Sequence, residues 1–200
     1  MDIFLEETEY ADFSAQSIRE LSERLFDNLT TDGERIKAAF DFVNTQIPHT
    51  ADIGGNVLPF RASEVLAAGT GVCFAKSNLL AALLRSVGIK TGFAYQYLTL
   101  DDKDDSQGYA IHGLNAVYYG GKWLLMDARG GRSAVFSLER HVIAFPLKKK
   151  YGEYFIDGVF ARQDSGVVKL FGEISSRTEL WRSIPQKITD TPDTYLSFME

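Results

Sequence analysis

The 200-residue sequence has a single cysteine, Cys73, so it can form no internal disulfide and no multi-cysteine zinc site. Reactivity or plain burial remain as the reasons for that thiol. A basic cluster is also missing. The 21 lysines and arginines are scattered among 27 acidic residues for a formal charge of −6, which removes the electrostatic footprint of a nucleic-acid binder. No apolar run approaches membrane-spanning length. The start, Met1-Asp2-Ile3-Phe4-Leu5-Glu6-Glu7, is acidic where a signal peptide would be basic and then apolar. These absences point to a cytoplasmic protein of bacterial type with neither a nucleic-acid nor a membrane partner. There is no linker-like stretch, repeat or low-complexity tract, so one domain over residues 1–200 is expected.

What is present is a composition 45% hydrophobic and 12% aromatic, enough for one sizeable core. Ile18, Leu21, Leu25, Phe26 and Leu29 recur at helical spacing over residues 17–29. Thr31-Asp32-Gly33-Glu34 opens a second helix running through Val43. Residues 45–60 hold Pro48, Gly54, Gly55 and Pro59 and read as an irregular loop of the kind that walls a cleft. A short helix from Arg61 to Leu66 is broken at Gly69-Thr70-Gly71. Residues 73–87 then form a helix ended by Gly88, with Leu79, Leu80, Leu83, Leu84 and Val87 as its buried stripe. Strands are expected over 91–100, 110–119 and 122–129, the last two joined by Gly120-Gly121 as a two-residue hairpin. Helices followed by antiparallel strands make an α+β pattern. Beyond Gly131 only short segments (151–160, 167–170) and a helix near Glu179–Ser183 stand out.

Cys73 thus stands at a helix N-terminus, where free backbone N–H groups and the positive end of the dipole stabilise a thiolate. A lone cysteine is more often a small buried apolar residue, so a histidine partner decides the matter. Of His49, His112 and His141, only His112 lies in a strong strand pattern. If Gly120 and Gly121 are the turn, Tyr119 opposes Lys122, Leu114 opposes Asp127 and His112 opposes Arg129. His112 and Asp127 are then diagonal neighbours on one face, within reach of each other. Leu114, Ala116, Tyr118, Trp123 and Leu125 share that face and are expected to pack on the cysteine helix. The chemistry of such a cluster is a thiolate–imidazolium pair oriented by a carboxylate, able to attack an amide or ester carbonyl. The Cys73 backbone N–H can serve the oxyanion. Gln46 and His49, in the loop before the cysteine, are candidate second donors or substrate-binding groups.

The strings Ala62-Ser63-Glu64-Val65-Leu66, Gly69-Thr70-Gly71-Val72-Cys73 and Ala81-Leu83-Leu84-Arg85-Ser86-Val87-Gly88-Ile89 resemble the cysteine block of the transglutaminase-like superfamily. His112 with Asn115-Ala116-Val117-Tyr118, and Gly121-Lys122-Trp123-Leu124-Leu125-Met126-Asp127-Ala128-Arg129-Gly130, resemble its histidine and aspartate strands. The blocks span about residues 60–130. The resemblance implies a papain-like α+β fold, with N-terminal helices and the nucleophile helix packed on an antiparallel sheet. It also implies a Cys73, His112, Asp127 triad with no cofactor or metal. A cysteine protease, amidase or transglutaminase-like acyltransferase acting on a peptide or protein is the expected activity, hydrolysis being favoured. The alternative is a non-catalytic protein-binding module that keeps the fold. Where that superfamily often has a tryptophan and then an acidic residue after the histidine, this chain has Leu114 and Asn115, so substrate preference does not transfer. The run Asp101-Asp102-Lys103-Asp104-Asp105 lacks the glycine and terminal glutamate of a helix–loop–helix calcium site and reads as a solvated loop.

Overall fold

A computed structural model describes residues 2–101, 104–130 and 134–198. Asp102 and Lys103 of the acidic run, and Gly131, lie outside the described residues. Two amphipathic helices come first, α1 (Gln16–Phe26) and α2 (Asp32–Gln46). α1 stops one turn earlier than its apolar spacing suggests, because Asn28 adopts a left-handed φ of 61°. α2 starts on a capping box in which Thr31 and Glu34 satisfy each other's backbone N–H groups, and it runs one turn past Val43. α3 (Ala62–Ala68) ends at Gly69 in the left-handed region.

α4 (Cys73–Ser86) is the centre of the molecule. Apart from Cys73 and Ser86 at its ends, every residue of this helix is buried, so it has no solvent face and the expected stripe is only part of its contact surface. Its four leucines, Leu79, Leu80, Leu83 and Leu84, are fully enclosed, each contributing about 1.5–3 kcal/mol by burial. Its polar residues are buried with partners. The Arg85 guanidinium donates to the carbonyls of Glu6, Thr91 and Ala161, and the Asn78 amide donates to the Phe60 carbonyl.

The sheet is antiparallel throughout and ordered β3-β2-β1-β4, from β1 (Thr91–Thr99), β2 (Tyr109–Tyr119), β3 (Lys122–Met126) and β4 (Tyr154–Phe160). Gly120 and Gly121 both have positive φ, 59° and 84°, as a tight hairpin turn requires, and Tyr119 pairs with Lys122 as the spacing indicates. β3 ends at Met126, three residues before the expected limit, so the Leu114–Asp127 and His112–Arg129 positions lie beyond the ladder. There the Asp127 N–H donates to the Val142 carbonyl instead. α5 (Ser165–Glu173), which absorbs the 167–170 segment, and α6 (Arg177–Ser183) complete the chain. Among the described residues no helix is long and apolar enough to cross a membrane.

The face of the hairpin that meets α4 is the opposite of the one expected. Ile111, Val117, Leu124 and Met126 join the α4 leucines in the main core, and the Asn115 amide donates to the Ser77 carbonyl at 3.1 Å. Leu114, Ala116 and Leu125 instead form a second core with Phe4, Ala94, Val159 and Phe198, against which Trp123 packs, while Tyr118 is exposed. The reason is that both faces of this sheet are covered. Residues 110–117 are buried without interruption, so alternation says which side chains share a face but not which face carries the helix.

Gly113 is what lets α4 approach β2 closely, since a Cβ there would lie 2.5 Å from the Phe74 ring, next to Cys73. Gly113→Ala is therefore expected to cost about 1–3 kcal/mol of stability by overpacking, read as a lowered urea midpoint. An unchanged midpoint would mean that this contact is slack.

Candidate active site at the N-terminus of α4

β2 outruns β3, and the edge this leaves open between Tyr109 and Leu114 adjoins the start of α4. There Cys73 lies half-buried, with His112 and His49 close enough for both rings to act on its thiol. No side chain caps the first turn of α4, because the N-cap position is Val72. The backbone N–H groups of that turn are thus left for the sulfur or a ligand. Gly71 forms a parallel bridge with His49, and a Cβ on it would press on Val65 and Ala75, which explains a glycine two residues before the thiol.

His112 Nε2 lies 2.8 Å from Asp127 Oδ2, with both groups buried. The carboxylate also accepts the backbone N–H groups of Arg129 (3.0 Å) and Ala144 (3.2 Å), which fix its plane. With Nε2 committed to Asp127, Nδ1 is the ring atom left for the thiol. Phe145 packs edge-on against the imidazole with centroids 5.0 Å apart. Burial disfavours the charged ring, but the Asp127 charge outweighs it, with the thiolate adding to the effect, and raises His112 to about 10. Burial likewise raises the Cys73 thiol, and the charge and hydrogen bond of His112, helped by His49, overturn this and bring it down to about 5. Between those values the stable form is the thiolate–imidazolium pair.

His49 is buried, and its Nδ1 accepts the Ala51 N–H at 3.2 Å. That fixes the proton on Nε2 and makes the ring a donor towards the sulfur. Gln46 is not brought to the site. It sits exposed at the C-terminal end of α2, where its amide donates to Thr45, because the extra turn of α2 carries it away from the loop. His141 is also elsewhere, accepting the Leu125 N–H on β3.

Two cations brace the loop bearing His49 to the segment bearing Asp127. Lys76, one helical turn after Cys73 and only 1% exposed, donates to the carbonyls of Ile47 and Arg129. Burial and the neighbouring Arg129 lower it to about 8. On the outside, Arg129 makes a bidentate pair with Asp52 at 2.6 and 2.7 Å and lies over the Phe145 ring. Residue spacing gave no sign of the Asp52 partnership. A lysine within the buried run of α4 was the available signal for the inner brace.

These groups open into a cleft of about 870 Å³, and ten of its twenty-three lining residues lie beyond position 128. Residues 19–128, more than half of the chain, match the family model of the transglutaminase-like superfamily. The chain belongs to that superfamily. No curated protein matches its sequence. Among solved structures, it is similar to a "putative cysteine protease" of Cytophaga hutchinsonii at 20% identity, with a TM-score of 0.51 over 63% of this chain and 40% of that one. A "putative protease" of Parabacteroides distasonis (18% identity, TM-score 0.41) covers 62% of this chain and 24% of its own. A structure described as a TGase (15%, 0.39) covers 70% and 39%. The chain therefore spans less than half the length of each of these neighbours. The α+β, papain-like fold is the part of the resemblance that the family model and the Cytophaga hutchinsonii structure support.

Replacing Lys76 with Met should leave the Ile47 and Arg129 carbonyls without their shared donor, at a cost of roughly 1–3 kcal/mol. Urea denaturation would register it. Stability equal to that of the parent would contradict a bracing role for the buried ammonium.

Proposed function

We propose that this member of the superfamily is a thiol-dependent amide hydrolase or acyltransferase acting on peptide or protein bonds, with Cys73, His112 and Asp127 as its triad. The observation that supports this most is the convergence of one thiol, one imidazole and one buried carboxylate at an uncapped helix start that lines a cleft.

Cys73 Sγ attacks the carbonyl carbon as a thiolate. The negative charge that develops on the carbonyl oxygen is met by the Cys73 backbone N–H and by His49 Nε2–H, the donor that the Nδ1 bond to Ala51 leaves free. The His112 imidazolium gives its proton to the departing amine nitrogen, the C–N bond breaks and a thioester remains on Cys73. Neutral His112 then takes a proton from water or from an acceptor amine as that nucleophile attacks the thioester. The thiolate leaves, the imidazolium is restored, and the product is an acid or a new amide. Asp127 keeps the ring in the required tautomer and balances its charge throughout.

The pH dependence has a definite sign. Alkylation by iodoacetamide follows the thiolate, so its rate should rise through about pH 5 and be level by pH 7. An unperturbed cysteine rises through about 8.5. His112→Ala should move the inflection upward by removing the cation, and His49→Ala should move it upward by less. A parent inflection near 8.5 would remove the catalytic reading. Asp127→Asn should keep the fold and lower amide turnover by about 10³–10⁴-fold, since the tautomer would be wrong. Parent-like turnover in that variant would exclude Asp127 from the triad.

A further inference from the structure

The segment carrying α6 is tied at its two ends to two different elements beside the cleft, the His49 loop and β2. At its start, the Arg177 N–H and Nε donate to the carbonyls of Asn56 (3.2 Å) and Gly55 (2.7 Å), in the loop that carries His49. At its end, the Pro185 carbonyl accepts the Ile111 N–H at 2.7 Å, one residue before His112. That N–H points away from β1, into the edge position that β3 leaves vacant. The segment is thus a strap spanning the mouth of the site. Ser176 caps its helix, and Glu179 accepts the Ser175 N–H.

The strap presents apolar groups to the cleft. Leu180 is packed into the core behind it, Ile184 lines the cleft, and Trp181 lines the same wall with half of its surface exposed. Phe145, Pro146, Leu98 and Leu100 line the same cleft. The charged lining groups are engaged by the protein itself. Arg129 is held by Asp52, and Glu153 accepts the hydroxyl and N–H of Thr99 and the N–H of Lys148. Asp101 and Lys148 have interactions of their own. A charged substrate side chain would have to displace one of these partners, whereas an apolar one gains by covering Trp181 and its neighbours.

We infer, resting on Cys73 as the nucleophile, that the strap forms a specificity subsite for a bulky apolar side chain, aromatic or leucine-like, near the bond attacked, with Trp181 as its contact face. Two features support this occupant over others. The wall is continuous with the cleft containing the thiol, and each charged side chain among the described lining residues already has an interaction within the protein.

Occupancy can be read without turnover. Blocked peptides acetyl-Ala-Ala-X-Ala-Ala-amide, with X as Phe, Leu, Gly, Glu or Lys, are titrated for protection of Cys73 from iodoacetamide in the full chain. The Phe and Leu peptides should give half-protection at concentrations at least about tenfold below the Gly, Glu and Lys peptides. Each protein serves as its own reference, because the ratio between peptides cancels the intrinsic reactivity of its thiol. In Trp181→Ala the advantage should shrink to within about twofold, and in Trp181→Phe most of it should remain. Equal protection by all five peptides, preference for Glu or Lys, or an advantage that survives Trp181→Ala would overturn the assignment. Fast alkylation without side-chain preference removes the subsite and leaves the thiolate chemistry standing. An alkylation inflection near 8.5 removes that chemistry, a result the peptide ratios do not depend on.

Discussion

A carboxylate with no solvent exposure governs the architecture around this site. Burying the Asp127 charge is tolerable only because every direction from it is filled by a donor, namely His112 Nε2 and the N–H groups of Arg129 and Ala144. Those donors come from three separate stretches of chain. The requirement that they converge accounts for several local features at once. β3 stops at Met126, residues 127–130 turn back on the carboxylate, and residues 142–144 come alongside in place of the missing ladder. The imidazole held there is raised in basicity, and the nearby thiol is lowered in consequence.

The same convergence explains which parts of the molecule were legible in residue order. The start of α4 at Cys73, the Gly120-Gly121 turn and the Tyr119–Lys122 register follow from local rules, because glycine in left-handed conformations and helix starts are short-range features. With that register, proximity of His112 and Asp127 also follows. The face that meets α4 does not, since residues 110–117 are buried on both sides and carry no polar alternation to orient them. Nor does residue order reveal that Gln46 is carried away by an extra turn of α2, while His49, three residues later, is turned inward by its bridge to Gly71. Partners such as Asp52 and Arg129, 77 positions apart, are set by tertiary packing alone.

The superfamily match ends at residue 128, yet the cleft does not. The segment that matches supplies the thiol, the two histidines beside it and the carboxylate. Phe145, Pro146 and the α6 strap supply much of the wall facing them. On the proposed reading, chemistry and selectivity belong to different stretches of the chain, joined physically by Arg177 to the His49 loop and by Pro185 to β2.

The most direct test of the account is whether Cys73 forms a thioester. The protein is mixed with p-nitrophenyl acetate at pH 6, where an ordinary thiol of pKa about 8.5 is almost wholly protonated, and acid-quenched samples are weighed and mapped by mass spectrometry. The account predicts a rapid gain of one acetyl group located on Cys73, lost in Cys73→Ser and strongly slowed in His112→Ala. No acetyl on Cys73, or the same rate of acetylation in His112→Ala, would contradict it.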